Sequence, residues 1–280
     1  MSKNRRNAAV RGSFYPETCS EVKSTIKNFN HRFDETPISE ELLNISPRAI
    51  IVPHAGYIYS GFTANVAYRF LKENQSKRII IIGPSHHHYF EGISGSYYEK
   101  YETPCGDIDI DSAYLFALAK QFDIGFEAKA HEKEHSTEVQ IPFIKHYFPK
   151  TKIIELIYGN ISPKKLANLI IALLNNQDNT IVISSDLSHF HSLAEAKELD
   201  ENCLRGVAKL DLDELAKGCE ACGLTGIQAM ILASKQYKLT SKLLDYRTSA
   251  DRSKDKTSVV GYMSAIFYTN FPHQSNYTLN

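Results

Sequence analysis

The chain has 280 residues, 42% of them hydrophobic, and its 32 basic side chains balance 32 acidic ones. That balance argues against a general nucleic-acid binder, which carries a basic excess, and no apolar run approaches the ~18 residues of a spanning helix. The N-terminal stretch MSKNRRNAAVRGSFYPE is positively charged but has no apolar core behind it, so it does not read as a secretory signal.

Short apolar runs alternate with longer amphipathic stretches. Residues 48–52 (RAIIV) read as a buried strand, with PHAGY as the turn after it. Residues 61–73 place Phe62, Val66, Ala67 and Phe70 on one helical face. Residues 78–82 (RIIII) read as a second buried strand, stopped by Gly83, Pro84 and Ser85. Residues 92–109 alternate and contain Gly95 and Pro104, which suggests an antiparallel excursion, and a helix follows over 112–121. Residues 126–130 read as strand or loop. Thr137 is placed to cap the next helix, with Gln140 as its capping-box partner, and that helix runs to about Tyr147. Strands at 152–158 and 180–184 flank a helix at 163–174. Three helical patterns follow, to about Val207, over 213–219 and over 226–234, and residues 238–246 and 258–267 look like a closing pair of strands. The expectation is an α/β fold, a single domain over residues 1–280 with a mostly parallel or mixed central sheet covered by helices on both faces.

The histidines fall at informative places. His54 follows the first buried run, His86, His87 and His88 follow the second, and Asp186 and His189 follow the run ending at Ser184. Ligands and catalytic groups of open α/β sheets gather at the carboxyl ends of the strands. Three such loops can converge on a metal, where each histidine alone would read as a loop residue bonded to backbone. Alternate side chains diverge, so at most two of His86, His87 and His88 can face one ion. The spacing of Asp186 and His189 would put both on one face of a helical turn, with Asp186 as a ligand, as an orienter of an imidazole or as a cap.

Two further motifs involve cysteine and histidine pairs. Five cysteines, an odd number, do not suggest a disulfide framework, and the expectation is a soluble cytoplasmic protein with reduced thiols. Cys219 and Cys222 form a C-x-x-C, but Cys105 and Cys203 are poorly spaced to complete a zinc site, so Cys222 stands as a single candidate thiolate or as an inert buried thiol. The run from His131 to His135 is a literal H-E-x-x-H. The helix signal begins only after it, which argues against a zinc protease and leaves His135 and Glu138 as edge-of-site residues.

Seven blocks occur in order: RGSFYP, PHAGYIYSG, GPSHH, YETPCGDIDID, EHSTEVQIPF, SSDLSHF and CGLTGI. Together they resemble the Memo family, whose bacterial and archaeal members are called AmmeMemoRadiSam system protein B. The resemblance runs from about residue 8 to about residue 268. It implies a fold similar to the LigB subunit of class III extradiol dioxygenases, with a cysteine where those enzymes place a carboxylate ligand. Carried onto this chain, the implied metal ligands are His54, His86 and Cys222, with Asp186 and His189 lining the same cleft as catalytic candidates. The implied cofactor is a transition metal, Fe, Cu or Zn, and thiolate for carboxylate favours the softer ions. The expected activity is that of a metal-dependent redox protein, oxidase or dioxygenase-like, acting on a small molecule or peptide. The alternative is a non-catalytic peptide- or anion-binding protein using the same cleft. The family name further implies a functional link to a radical-SAM protein and an AMMECR-like protein, while the charge balance and the lack of a long apolar run leave neither nucleic acid nor membrane as an expected partner.

Overall fold

The computed structural model describes residues 4–36, 45–71 and 76–269. The chain opens with a short strand, β1 (Arg5–Arg6), and a helix, α1 (Cys19–Asp34), whose start carries a complete capping box between Thr18 and Glu21. The apolar run AIIV becomes β2 (Ala49–Val52). Helix α2 (Tyr57–Leu71) begins four residues earlier than its amphipathic face suggested, directly after the PHAG turn. Positions 72–73 of that expected helix lie outside the described residues. Next come β3 (Arg78–Pro84), β4 (Ile93–Gly95), β5 (Lys100–Tyr101), β6 (Ile108–Asp109), α3 (Ser112–Ala119) and β7 (Ile124–Gly125).

Two short helices, α5 (His135–Glu138) and α6 (Ile141–Tyr147), replace the one expected to start at Thr137, and a third, α4 (Ala128–Glu132), forms where residues 126–130 read as strand or loop. Thr137 does not cap. Its hydroxyl donates to Glu155 instead, and Glu134 takes the cap position of α5, accepting the Ser136 N–H at 2.9 Å. Strand β8 (Lys152–Tyr158) and helix α7 (Pro163–Leu174) fall as expected, with Ser162 as N-cap and Pro163 in the first turn, where its missing N–H costs nothing. The remainder is β9 (Asn179–Ser184), β10 (His189–His191), α8 (Leu193–Lys209), α9 (Leu212–Leu215), α10 (Leu224–Tyr237), β11 (Thr240–Thr248), α11 (Ala250–Ser253) and β12 (Val259–Tyr268). The pattern at 213–219 yields only one helical turn, which Gly218 at φ +127° leaves behind.

The large sheet runs β10-β12-β2-β9-β3-β8-β4-β7, with β11 on the free side of β12. Its centre, β2-β9-β3-β8, is parallel. The pairs β12 with β2 and β4 with β8 are antiparallel, so the sheet is mixed. A second sheet of three strands joins β1, β5 and β6. Side chains alternate across the central strands: Ile51, Ile82, Leu156 and Ile183 face α7, α8 and α10, while Ile50, Ile81, Ile153 and Val182 face α1, α2 and α6. Burial on both faces is why these strands read as unbroken apolar runs. Because β2, β3 and β9 are parallel, the loops that follow Val52, Pro84 and Ser184 leave the same edge of the sheet.

Two disulfides overturn the expectation of reduced thiols. Cys19 pairs with Cys105, tying α1 to the loop after β5, and Cys203 pairs with Cys219, tying α8 to the segment that leads to Cys222. Cys222 is the free cysteine. Cysteine usage therefore no longer argues for a reducing compartment. Among the described residues no helix is long and apolar enough to cross a membrane.

Candidate metal centre

His54 leaves β2 and is almost completely buried. Its backbone N–H donates to Asp186 Oδ1 at 2.7 Å, and Ala55 N–H reaches the same oxygen at 3.3 Å. Its Nδ1 lies 3.0 Å from Ser184 Oγ. That hydroxyl already donates to the Ser136 carbonyl and accepts from Gln140 Nε2, so the proton in the His54–Ser184 bond sits on the imidazole. Nε2 is left with its lone pair, 3.3 Å from Cys222 Sγ.

His86, the residue after Ser85 beyond β3, is held by one carboxylate. Its backbone N–H donates to Glu134 Oε2 at 2.6 Å and its Nδ1 to Glu134 Oε1 at 2.8 Å. This again assigns the proton to Nδ1 and frees the other ring nitrogen. Cys222 stands two residues before α10, and its sulfur accepts the Asp186 N–H at 3.3 Å. Gly223 permits this approach: a Cβ there would lie 2.5 Å from the Ser185 Cβ and 2.9 Å from the Ser184 carbonyl oxygen.

Ligand atoms of His54, His86 and Cys222 all lie within 4.8 Å of one another, and so do those of His86, Glu134 and His135. The chemistry of the two groups differs. In the second, Glu134 Oε1 already accepts from His86 Nδ1 and from the Ser136 N–H, so its short distances are those of donor–acceptor pairs. In the first, an imidazole lone pair and a sulfur face each other with a second imidazole beside them, which is a donor set for a cation. The first group is the candidate centre and Glu134 is its anchor. His135 forms a wall, its ring 4.5 Å from that of His86 and 5.4 Å from that of His54.

Burial sets the protonation states. His54 is pushed well below the ordinary imidazole range by full burial and then by its neighbours His86 and His135. His135 falls to about 4 for the same reasons. Burial alone would raise Glu134, but its hydrogen bonds and attraction to His86 bring it down to about 2. Burial raises Asp186 to about 6 against the N–H groups of His54 and Ala55. Burial, then the nearby Asp186, pushes the Cys222 thiol up to about 12. A thiol so placed keeps its proton unless a cation compensates for the thiolate.

Asp186 and His189 are at the same edge but not in either ligand group. The segment between them is irregular rather than a helical turn, because His189 opens β10 and pairs with Val260. Asp186 caps no helix; it orients the His54 loop. His189 Nδ1 donates to the Leu187 carbonyl at 2.7 Å, which leaves Nε2 free on a half-buried ring. Of the triple histidine only His86 enters the ligand group: His87 is exposed with its ring 5.7 Å from His135, and His88 stacks on Phe90.

His131 and His135 belong to separate short helices, α4 and α5, and share no face. His131 is fully buried between Glu155, 2.9 Å from Nδ1, and Ser94 Oγ, 2.9 Å from Nε2. Glu138, expected at the edge of the site, is instead a buried pin for the N-terminal segment, accepting from Arg6, Tyr15 and the N–H groups of Ala9 and Val10. Sequence reasoning missed the roles of Glu134, Ser184 and Gln140. Glu134 carried the one available signal, a carboxylate inside the H-E-x-x-H run.

Residues 6–266 match the family of Memo-like proteins. The chain belongs to that family. A MEMO1 family protein of Methanobrevibacter smithii is 34% identical over 279 residues, covering 94% of this chain and 99% of its own. A MEMO1 family protein of Saccharolobus islandicus is 33% identical over 281 residues with the same coverage, and that of Nitrosopumilus maritimus is 30% identical over 269 residues, covering 92% and 97%. An uncharacterized protein from Escherichia coli K12 shares the fold, with a TM-score of 0.52 at 12% identity over 78% of this chain and 98% of that one. The family resemblance of the seven sequence blocks is thus confirmed for this Memo-like chain.

Proposed function

We propose that this Memo-like protein binds a transition-metal ion through His54, His86 and Cys222 and uses it in redox chemistry on a small molecule. The observation that carries the reading is the convergence of two imidazoles and one sulfur within 4.8 Å, with each imidazole tied through Nδ1 to an acceptor. Two nitrogens and a soft sulfur suit Cu, Zn or Fe better than a hard cation, and Cu or Fe would supply one-electron exchange with substrate. The residues divide the remaining work. Ser184 and Glu134 fix ring orientation and tautomer, and Asp186 steers both the His54 backbone and, through its own N–H, the Cys222 sulfur. His189, with Nε2 free, is placed to accept or return a proton at a substrate atom on the same rim.

The test is elemental analysis of protein purified anaerobically without added metal, followed by oxygen-uptake screening. The expected result is a metal-to-chain ratio near unity that falls to background in His54→Ala, His86→Ala and Cys222→Ser. Full metal retention in Cys222→Ser would remove the sulfur from the site and leave Asp186 or His189 to complete it. No metal in the wild-type protein, even after reconstitution, would leave the cleft as a binding site without redox chemistry.

A further inference from the structure

Two of the blocks behind the family resemblance, RGSFYP and PHAGYIYSG, extend well beyond the metal ligand His54. The structure joins them: Tyr57 N–H donates to the Phe14 carbonyl at 2.7 Å, and beside the junction lies a groove of about 590 Å³ that α1 closes on one side. Five consecutive residues of the first block, Gly12 to Pro16, line it. Its apolar surface comes from Phe14, Phe29, Tyr57 and Ile58, and Ile58 is 60% exposed. Gly61 lets Phe29 pack this closely, since a Cβ there would lie 2.8 Å from the Phe29 ring.

The charge on the groove is one-sided. Among the described residues Arg32 and Arg252 line it and no acidic residue does, in a chain whose 32 basic and 32 acidic side chains cancel. Arg32 lays its guanidinium over the Phe62 ring at 4.1 Å, where Asp245 attracts it and Arg247 repels it, and neither Arg32 nor Arg252 forms an ion pair among the described residues. The groove also adjoins the candidate centre. The Phe14 ring on its wall packs 5.0 Å from the ring of His135, which in turn packs on His86 and His54.

We propose that this groove binds a small organic anion with an apolar body, the head on Arg32 and Arg252 and the body against Phe14, Phe29 and Ile58. Such an anion is the substrate class of the neighbouring centre, an assignment that rests on the metal-binding reading. A bare inorganic anion would leave the apolar wall wet, and a neutral hydrophobe would make no use of the two guanidiniums at the rim. The groove has the size of a small-molecule site, ~300–1,000 Å³.

The experiment compares two fluorescent probes of similar shape, the anion 8-anilinonaphthalene-1-sulfonate and the neutral N-phenyl-1-naphthylamine, on the full chain, with metal content measured on the same samples. The expected result is saturable binding that favours the anion. The double variant Arg32→Gln with Arg252→Gln should weaken the anion by about tenfold or more while the neutral probe is unchanged. Ile58→Glu should weaken the anion as well, and metal content should stay at the wild-type level in all of these. Equal affinity of the wild-type protein for both probes, or an unchanged anion affinity in the double arginine variant, overturns the proposal. Arginine-dependent anion binding in a protein that holds no metal supports the groove and overturns the centre, so the two readings fail separately.

Discussion

Both oxygens of Glu134 are committed to His86, one to its backbone N–H and one to Nδ1. An imidazole anchored in this way reaches a cation already oriented and in the right tautomer, and losing such an anchor costs about 10–100-fold in metal affinity. Glu134→Ala should therefore weaken metal binding by that amount, and Glu134→Gln by less, because an amide oxygen still accepts from Nδ1. Competition against a chelator measures both, and wild-type affinity in Glu134→Ala would make the carboxylate a bystander. Cys222 gives a second residue-scale prediction. Its thiol, pushed up to about 12 by burial, must lose its proton on binding a cation. Each bound ion then releases one proton, and affinity should rise about tenfold per pH unit over the neutral range. Cys222→Ser should flatten that slope as well as lower the affinity. An equal slope in the variant would assign the proton to another group.

The segment from α9 to α10 carries Cys222, and the Cys203–Cys219 disulfide anchors it to α8 three residues before that candidate ligand. The disulfide makes Cys219 a tether for the segment that carries Cys222. The two disulfides should separate stability from affinity. Closing a 16-residue loop is worth about 3 kcal/mol in the chain-entropy picture, and closing the 86-residue loop of Cys19–Cys105 about 4.5 kcal/mol. Cys19→Ser should cost more stability in thermal melts yet keep metal affinity, and Cys219→Ser should cost less stability but loosen the Cys222 segment and lower affinity. The reverse pattern would sink the tether. At this scale the sequence was partly legible, for physical reasons. The strands 49–52, 78–84, 152–158 and 179–184 could be read because burial on both faces leaves no polar alternation, and their parallel pairing places His54 and His86 on one edge. Cys222 came from the family resemblance rather than from any pattern. The disulfides depend on Cα separations of 4.7 and 4.8 Å that spacing along the chain does not encode. Helix α1 went unnoticed although its Thr18–Glu21 capping box was readable. Glu134 was obscured because its partner lies 48 residues away in the chain.

Beneath the candidate centre a buried polar network joins the two sheets. Arg6, from β1, donates to the carbonyls of His131 and Glu134 and pairs with Glu138, so the small sheet grips the segment that carries the His86 anchor. Across that segment His131 reaches Glu155 in the middle of β8, and Thr137 donates to the same carboxylate. Ser94, His131 and Glu155 stand in a line like a hydrolytic triad. All three are sealed from solvent, so the line braces the molecule rather than reacting with a substrate. Burial by itself would raise the Glu155 carboxyl, but the imidazole of His131 and the guanidinium of Arg6 outweigh it and hold the group below the usual range. A carboxylate depressed on folding contributes stability that is complete above the unfolded value, ~4.3, and is lost as pH falls through the lower folded value. Glu155→Gln keeps the shape but leaves His131 without a charged partner, and at neutral pH it should cost on the order of 3 kcal/mol. The difference between wild type and variant should be constant from neutral pH to about 5, then shrink as the wild-type carboxylate is protonated. Thermal melts of both proteins at steps from pH 7 to pH 3 read this directly. A gap that stays constant to pH 3 would show that the charge of Glu155 contributes nothing beyond its hydrogen bonds.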